Sequence, residues 1–328
     1  MKFLLLPITF PLSMLYGLVT LIRNKFFDWG WMKELEFEVP LINVGNLAVG
    51  GTGKTPHIAY LIDRLQGPKV AVLSRGYGRR TKGYNLVSMD SKVDEVGDEI
   101  LMLKMRFPSV PMAVHENRAL GIAELLAEHP DVDLILLDDA FQHRHVKPKV
   151  NILLTEYQLP FFLDWLMPAG RLREFRSGYK RADIAIFTKC PEDAKTYNTQ
   201  RHLPATDPNS IFYSRMTYPK LQRVTGRDGT IAKPILVTSI AKPEYLKNHL
   251  QHMWPDIVHS NYRDHHKFTQ KELDQLAETS KHVICTEKDW VKLQELNIPA
   301  SLNIWIQAIE IEISGDGLIH KVQELLSQ

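Results

Sequence analysis

A glycine-rich segment between two apolar runs contains the residues of this chain that are best suited to chemistry. Gly50, Gly51 and Gly53 precede Lys54 and Thr55. Glycines allow backbone N–H groups to turn inward around phosphate oxygens, a lysine can reach the outer phosphates of a nucleotide, and a threonine hydroxyl can coordinate Mg²⁺. An apolar run that suits a buried strand precedes the segment and one that suits a helix follows it, which is the order of a phosphate-binding loop, or P-loop. The residues expected to contact the nucleotide are Ala48, Val49, Gly50, Gly51, Thr52, Gly53, Lys54 and Thr55.

A pair of aspartates is the second candidate for chemistry. Asp138 and Asp139 follow the apolar residues 134–137, which suit a short buried strand. A parallel strand that ends beside a P-loop places a carboxylate next to the metal ion. We therefore predict a Mg²⁺ site made of Thr55 with Asp138 or Asp139, and both aspartates stay open as the ligand.

Composition limits the class of protein. The chain has 328 residues, enough for one large α/β domain or two smaller ones, and its net charge of +2 gives no sign of an extended nucleic-acid surface. Cys190 and Cys285 each end an apolar run and form neither a metal pair nor a disulfide framework, which fits a reducing cytoplasm.

The N-terminus is apolar and carries no charge between residues 3 and 22, after which two cationic and four aromatic side chains follow. Pro7 and Pro11 are expected to interrupt any helix there, leaving about a dozen helical residues from Leu12 onward. Such a segment predicts an anchor that lies in a membrane interface, and the alternative is a core helix that packs on the domain.

Strands alternate with helices along most of the chain, which predicts an α/β fold of the P-loop NTPase type. We expect a mostly parallel sheet with helices on both faces, a smaller second α/β lobe, and the apolar N-terminal helix. The pattern loosens into Pro, Asn, Asp and Gly near residues 196–232. The predicted division is a membrane-associated segment at 1–32, a P-loop domain at 33–215 and a C-terminal lobe at 216–328.

Several stretches, taken in order, resemble one family: the tetraacyldisaccharide 4′-kinases of lipid A biosynthesis. The resemblance covers nearly the whole chain, with a departure at Ser239, where the family usually has glycine. The stretches that carry it are the apolar N-terminus, Gly45–Asn46 with Gly50–Pro56, Ser74–Tyr77, Gly97–Glu99, Arg118, Asp138–His143, Pro168–Glu174, Asp264–His266 and Thr286–Asp289.

The resemblance implies a kinase that is peripheral or monotopic on the cytoplasmic face of the inner membrane. Its donor is ATP with Mg²⁺, and its acceptor is the 4′-hydroxyl of a lipid A disaccharide 1-phosphate. It implies no nucleic-acid partner and identifies no protein partner.

The resemblance also implies roles for particular residues. Asp98 is the general base, His265 its partner, and Glu99 lies close by. Arg118 and Arg171 are candidates for contact with phosphate oxygens, because a guanidinium group matches their geometry. Lys54 and the two aspartates would supply the phosphate and metal contacts.

Other classes of protein remain alternatives. A GTPase switch would normally carry Asn-Lys-x-Asp after a later strand, and residues 188–191 and 286–289 match that pattern only in part. A soluble small-molecule kinase would use the N-terminus as core. A membrane-tethered nucleotide binder would bind ATP without turnover.

Overall fold

The computed structural model describes residues 6–194, 196–197, 199–226, 230–313 and 317–328. The strands are β1 Leu41–Asn46, β2 Val70–Ser74, β3 Asn85–Leu86, β4 Met112–Val114, β5 Leu134–Asp138, β6 Val150–Glu156, β7 Ile184–Thr188, β8 Ile211–Thr217, β9 Gln222–Arg223, β10 Ile235–Thr238, β11 Val258–Asn261, β12 His282–Thr286, β13 Asn303–Gln307 and β14 Glu310–Ile313. The helices are α1 Leu6–Asp28, α2 Lys54–Arg64, α3 Val93–Val96, α4 Asp98–Arg106, α5 Arg118–Glu128, α6 Thr199–His202, α7 Glu244–Gln251, α8 Gln270–Thr279, α9 Glu287–Leu293 and α10 Gly317–Ser327.

The chain forms two compact units, and neither is continuous in sequence. Unit 1 takes residues up to 75, residues 110–216 and residues 311–328, and unit 2 takes residues 76–109 and 217–310. The contiguous division expected after residue 215 therefore differs from the observed one at two segments, 76–109 and 311–328. Both are short, and neither carries a change in composition that marks a boundary.

Unit 1 is built on a mostly parallel sheet with the strand order β14-β8-β7-β6-β1-β5-β2-β4. Every pairing from β8 to β4 is parallel. All six residues of the central strand β1 are buried, as expected for a strand whose sheet is covered on both faces. The predicted α/β architecture is confirmed.

The carboxyl ends of the parallel strands lie along one edge of this sheet. The P-loop follows β1, Asp138 ends β5, and Glu156 ends β6. In open parallel sheets, ligands bind at this edge, where connections on the two sides of a strand go in opposite directions. The strand order beside β1 meets that condition, since the chain continues from β1 to β2 on one side and from β6 to β7 on the other.

Unit 2 has a five-stranded sheet in the order β11-β10-β12-β13-β9. Its pairings are parallel apart from the short β9, which runs antiparallel to β13. The capping box expected from the sequence at the start of α8 is present: Thr269 accepts from the backbone N–H of Glu272, and the Glu272 side chain accepts from the backbone N–H of Thr269.

Helix α1 corrects one prediction. It runs for 23 residues from Leu6 and includes Pro11, so the expected interruption by the two prolines is wrong. Pro7 lies in the first turn, where its missing N–H has no intrahelical partner to lose. Pro11 forgoes one hydrogen bond without ending the helix.

The polar side of α1 packs on unit 1, and its apolar side faces outward. Ser13 is buried and donates to the carbonyl of Leu166 at 3.0 Å, and Tyr16 donates to the carbonyl of Arg173 at 2.7 Å. The exposed apolar residues of the helix are Phe10, Leu12, Met14, Leu15, Leu18, Val19, Leu21 and Ile22. Within the described residues, no helix combines the length and apolar character needed to cross a bilayer.

Candidate active site

The P-loop has the backbone conformation that binding of phosphate requires. Gly50 and Gly53 have φ angles of 114° and 89°, in the region that favours glycine. Gly53 immediately precedes α2, whose first residue is Lys54. The first-turn N–H groups of a helix have no intrahelical acceptor and carry the positive end of the helix dipole, so they can bind an anion.

A buried histidine holds the end of this loop. His57 Nδ1 lies 2.7 Å from the carbonyl oxygen of Gly53, and its Nε2 lies 3.0 Å from the hydroxyl of Ser214. Burial lowers the pKa of His57 to about 4, so the ring is neutral at physiological pH. Because a carbonyl only accepts, Nδ1 carries the proton and donates to Gly53, while Nε2 accepts from Ser214.

Two further segments of unit 1 hold the loop through backbone atoms. The carbonyl of Arg171 accepts from the N–H of Val49 at 2.8 Å, and the N–H of Arg173 donates to the carbonyl of Leu47 at 2.7 Å. The ammonium group of Lys189 donates to the carbonyl of Gly51.

The buried carboxylate of Glu156 fixes the cations on this side of the loop. It lies 2.7 Å from Lys189 Nζ and 3.0 Å from an Arg171 guanidinium nitrogen. A buried, paired carboxylate thus keeps the Lys189 ammonium directed at the loop.

The two aspartates at the end of β5 have different partners. Asp138 is buried and accepts from the Ser74 hydroxyl at 3.0 Å. Asp139 accepts from two Arg173 nitrogens at 2.8 and 3.1 Å and lies 3.6 Å from Lys54 Nζ. Burial alone would raise the pKa of Asp139, but Lys54, Arg173 and Arg118 outweigh it and lower that pKa. We call Lys54, Thr55, Asp138, Asp139 and Arg173 the P-loop cluster.

Arg118 and Arg171 are engaged by protein groups. Arg118 is buried and donates to the carbonyls of His115 and Asp138 at 2.7 and 3.0 Å. Arg171 donates to the carboxylates of Asp164 and Glu156 at 2.7 and 3.0 Å. These contacts hold each guanidinium group in place, and the expected contact of either arginine with phosphate oxygens stays a prediction.

Unit 2 contains the predicted Asp–His pair. Asp98 is buried at the first residue of α4, and His265 Nδ1 lies 3.0 Å from each of its carboxylate oxygens. Lys288 Nζ lies 3.1 Å from Glu99, 3.2 Å from Asp264 and 3.3 Å from His265 Nε2. We call Asp98, Glu99, Asp264, His265 and Lys288 the base cluster.

The charge environment keeps Asp98 ionised. Burial would raise its pKa, but the hydrogen bond from His265 and the charges of Lys288 and Lys292 outweigh burial, and the pKa is lowered. The buried Lys292 lies 3.8 Å from Asp98 and 3.3 Å from the fully buried Asp289. Asp289 also accepts from the hydroxyl of Ser239, so the residue that departs from the family pattern takes part in this buried network.

The sequence predicts the P-loop as a contiguous motif but does not indicate several side chains that contact it. Arg173 lies in the stretch 168–174 and Lys189 in the stretch 188–191, but the sequence distinguishes neither from its neighbours, and no sequence pattern indicates His57. The predicted site residues fall into two groups by unit: Lys54, Thr55, Arg118, Asp138, Asp139 and Arg171 in unit 1, and Asp98, Glu99 and His265 in unit 2.

Comparisons with known proteins agree on one family. The family model described as "LpxK: Tetraacyldisaccharide-1-P 4'-kinase" matches residues 5–327. A tetraacyldisaccharide 4′-kinase from Cytophaga hutchinsonii is 43% identical over 336 residues, covering 96% of this chain and 93% of the relative. One from Bacteroides thetaiotaomicron is 41% identical over 333 residues, covering 93% and 87%.

A solved structure agrees with the sequence relatives. It is the "apo" form of LpxK from Aquifex aeolicus in complex with ATP, with a TM-score of 0.75 at 26% identity, covering 99% of this chain and 98% of that one. The chain therefore belongs to the tetraacyldisaccharide-1-P 4′-kinase family and is an ATP-dependent kinase of a lipid A disaccharide precursor.

Proposed function

We propose that this kinase works at a membrane surface and that Asp98 accepts the proton of the 4′-hydroxyl of a tetraacyldisaccharide 1-phosphate. The observation that carries the proposal is the hydrogen bond from His265 to both oxygens of the buried Asp98. A general base needs an ionised acceptor held in a fixed orientation, and this pair meets both needs.

The nucleotide side of the reaction uses the P-loop. The N–H groups of the glycine-rich segment and of the first turn of α2 bind the phosphates of ATP, and Lys54 contacts the outer ones. The A. aeolicus relative in complex with ATP supports this choice of donor.

The chemistry of Thr55 and Asp138 fits Mg²⁺. Thr55 offers a hydroxyl oxygen in the first turn of α2, and Asp138 offers a carboxylate at the end of β5, the neighbour of the strand that leads into the P-loop. Mg²⁺ prefers such oxygen ligands and takes the rest from phosphates and water. Asp139 suits the metal less, since both of its oxygens accept from Arg173. When bound, the ion would neutralise charge on the β- and γ-phosphates.

In the proposed phosphoryl transfer, the sugar oxygen forms a bond to the γ-phosphorus while the bond from that phosphorus to the bridging oxygen of ADP breaks. The hydroxyl proton moves to a carboxylate oxygen of Asp98, and His265 keeps that carboxylate oriented throughout.

Transfer of labelled γ-phosphate from ATP to a lipid A precursor in detergent tests the role of Asp98. Asp98→Asn keeps the shape of the side chain and removes the base, so kcat should fall by about 10²- to 10⁴-fold with ATP binding retained. The matched control is Asp94→Asn in α3, a carboxylate that pairs with Lys267 at 2.6 Å. Turnover of Asp98→Asn equal to that of the control would contradict the proposal.

Helix α1 supports the membrane part of the proposal. Between Phe10 and Ile22, Ser13 and Tyr16 bond inward and eight apolar residues are exposed, the reverse of a helix that is packed as core. The exposed Trp165 extends this apolar surface, since the Phe10 and Trp165 rings lie 5.9 Å apart. Each apolar side chain that enters the interface stabilises association by roughly 1.5–3 kcal/mol at most.

Binding to anionic phospholipid vesicles tests this part. Leu15→Glu with Leu18→Glu changes only exposed positions of α1, and vesicle association should fall by about tenfold or more. Leu86→Glu with Leu120→Glu places the same charges at exposed leucines elsewhere and should leave association unchanged. Equal binding by both double variants would exclude α1 as the attachment.

A further inference from the structure

Two contacts of His265, with Asp98 at one ring nitrogen and with Lys288 at the other, determine which nitrogen carries its proton. Lys288 Nζ lies 3.3 Å from His265 Nε2. Burial alone would lower the pKa of Lys288, but the carboxylates of Glu99, Asp98 and Asp264 outweigh it and raise that pKa above its usual value. The side chain is therefore an ammonium group, which donates hydrogen bonds and accepts none.

A nitrogen that faces an ammonium group must present its lone pair. Nε2 of His265 is then unprotonated, and the single ring proton is on Nδ1, which faces both oxygens of Asp98 at 3.0 Å. We propose that Lys288 is a positioning residue that fixes His265 as the Nδ1–H tautomer and prevents a proton from leaving through Nε2.

The other groups around His265 agree with this assignment. Asp264 is the nearby carboxylate that could accept from an Nε2–H, but its Oδ2 lies 3.7 Å away, too far for a hydrogen bond, and its Oδ1 accepts from Lys288. Lys292, from the same helix as Lys288, lies 3.8 Å from Asp98 and adds positive charge beside the pair. The Tyr77 ring lies 4.8 Å from the imidazole ring and adds no charge.

The assignment has a consequence for the reaction, and here it rests on the proposed role of Asp98. The proton from the sugar hydroxyl stays on Asp98, because His265 already donates its Nδ1 proton to that carboxylate and Nε2 faces the ammonium group. Forming an imidazolium would require a second proton at Nε2, 3.3 Å from a positive charge. His265 thus orients the base and does not carry the proton away.

Nitrogen NMR of the full chain with ¹⁵N-labelled histidine tests the tautomer directly, and loss of a signal in His265→Ala assigns it. In the wild type, Nδ1 of His265 should show the shift of a protonated nitrogen and Nε2 that of an unprotonated one. In Lys288→Met, Nε2 no longer faces an ammonium group, so its shift should move toward that of a protonated nitrogen. Lys288→Arg keeps a donor-only cation and should restore the wild-type spectrum.

Lys267→Met is the matched control, because Lys267 lies in the same loop region but pairs with Asp94 at 2.6 Å. Its His265 signals should equal those of the wild type. A protonated Nε2 in the wild type, or an unchanged Nε2 shift in Lys288→Met, would overturn the inference, and the wild-type spectrum decides it even where a variant does not fold. Near-normal turnover of Asp98→Asn would instead refute the proposed base and leave the tautomer assignment standing.

Discussion

The P-loop and the base cluster are stabilised by different kinds of contact. Around the P-loop, side chains hold backbone: His57 bonds to the carbonyl of Gly53, and Lys189 bonds to the carbonyl of Gly51. In the base cluster, side chains hold side chains, as His265 does with Asp98. A loop that binds phosphate through its N–H groups needs a fixed backbone, whereas a general base needs a fixed charge.

The charges of the two clusters are opposite as well. In the P-loop cluster, the carboxylate of Asp139 is surrounded by the cations Lys54, Arg173 and Arg118. In the base cluster, the cation Lys288 is surrounded by three carboxylates. Cations gathered around a carboxylate suit a site for an anionic nucleotide, and carboxylates gathered around a cation suit a site that takes up a proton.

The largest effect should come from Lys54→Ala. This lysine contacts phosphates whose charge redistributes in the transition state, so kcat should fall by about 10³-fold or more while the fold persists. The assay is transfer of labelled phosphate, with circular dichroism to check folding. Lys69→Ala, at an exposed lysine paired with Asp131, should retain activity. Normal turnover of Lys54→Ala would show that the P-loop cluster does not take part in phosphoryl transfer.

The next effect concerns the base cluster as a unit. Asp98→Asn and His265→Ala should each lower kcat, and the double variant should be little worse than the more damaged single one, because the histidine acts through the carboxylate. Kinetics of the four proteins measure this. If the two fold-decreases in kcat multiply in the double variant, His265 has a separate role. Loss of ATP binding in either single variant would show that these residues belong to the nucleotide site.

A smaller effect should follow removal of one backbone contact of the P-loop. Lys189→Met leaves the Gly51 carbonyl without its ammonium donor, so the dissociation constant for ATP should rise by about tenfold through loss of preorganisation. Glu156 keeps Arg171 as its partner in this variant. Calorimetric titration with ATP makes the measurement, and Lys189→Arg should recover most of the affinity. An unchanged affinity in Lys189→Met would show that this contact does not organise the loop.

The smallest effect is on stability, and its pH range distinguishes His57, which contacts the P-loop, from the base cluster. Burial lowers the pKa of His57 from 6.5 to about 4, so the unfolded chain binds a proton that the folded chain does not. Stability is complete above pH 6.5 and falls as the pH drops toward 4, by roughly 3 kcal/mol. His57→Gln cannot titrate and should lose less stability between pH 7 and 4.5 in denaturant unfolding.

The base cluster should respond at lower pH. The pKa of Asp98 is itself lowered, so its contribution is complete above the ordinary aspartate pKa and is lost only as the pH falls through the lowered value. His143, whose pKa also falls to about 4 through burial, is present in wild type and variant alike and cancels in the comparison. If the free energy of unfolding of the wild type and of His57→Gln depended equally on pH, the predicted contribution of His57 would be wrong.

The sequence predicts the two clusters unequally for a physical reason. Gly50 to Thr55 are contiguous, so the spacing alone indicates their joint task. Asp98 and His265 are 167 residues apart, and only the family resemblance pairs them. Lys189 contacts the Gly51 carbonyl from 138 residues away, so this contact depends on how the strands pair and no local pattern predicts it. His57 lies only four residues from Gly53, but its burial and its contact with Ser214 follow from the fold.

The N-terminal helix shows a second feature that the sequence predicts only in part. The sequence indicates an apolar segment at the surface, but the rule that proline ends a helix depends on position, and Pro7 lies in the first turn. The direction in which each side chain of α1 points follows from its packing on unit 1, which periodicity alone does not fix.

The order of the two units along the sequence has a consequence for folding during synthesis. Unit 1 includes residues 311–328, and α10 within that segment buries Leu318 and Val322. When residue 310 has left the ribosome, all residues of unit 2 are available for folding, but residues 311–328 of unit 1 are not. Unit 1 therefore cannot complete its core until residues 311–328, which follow all of unit 2 in the sequence, have been translated.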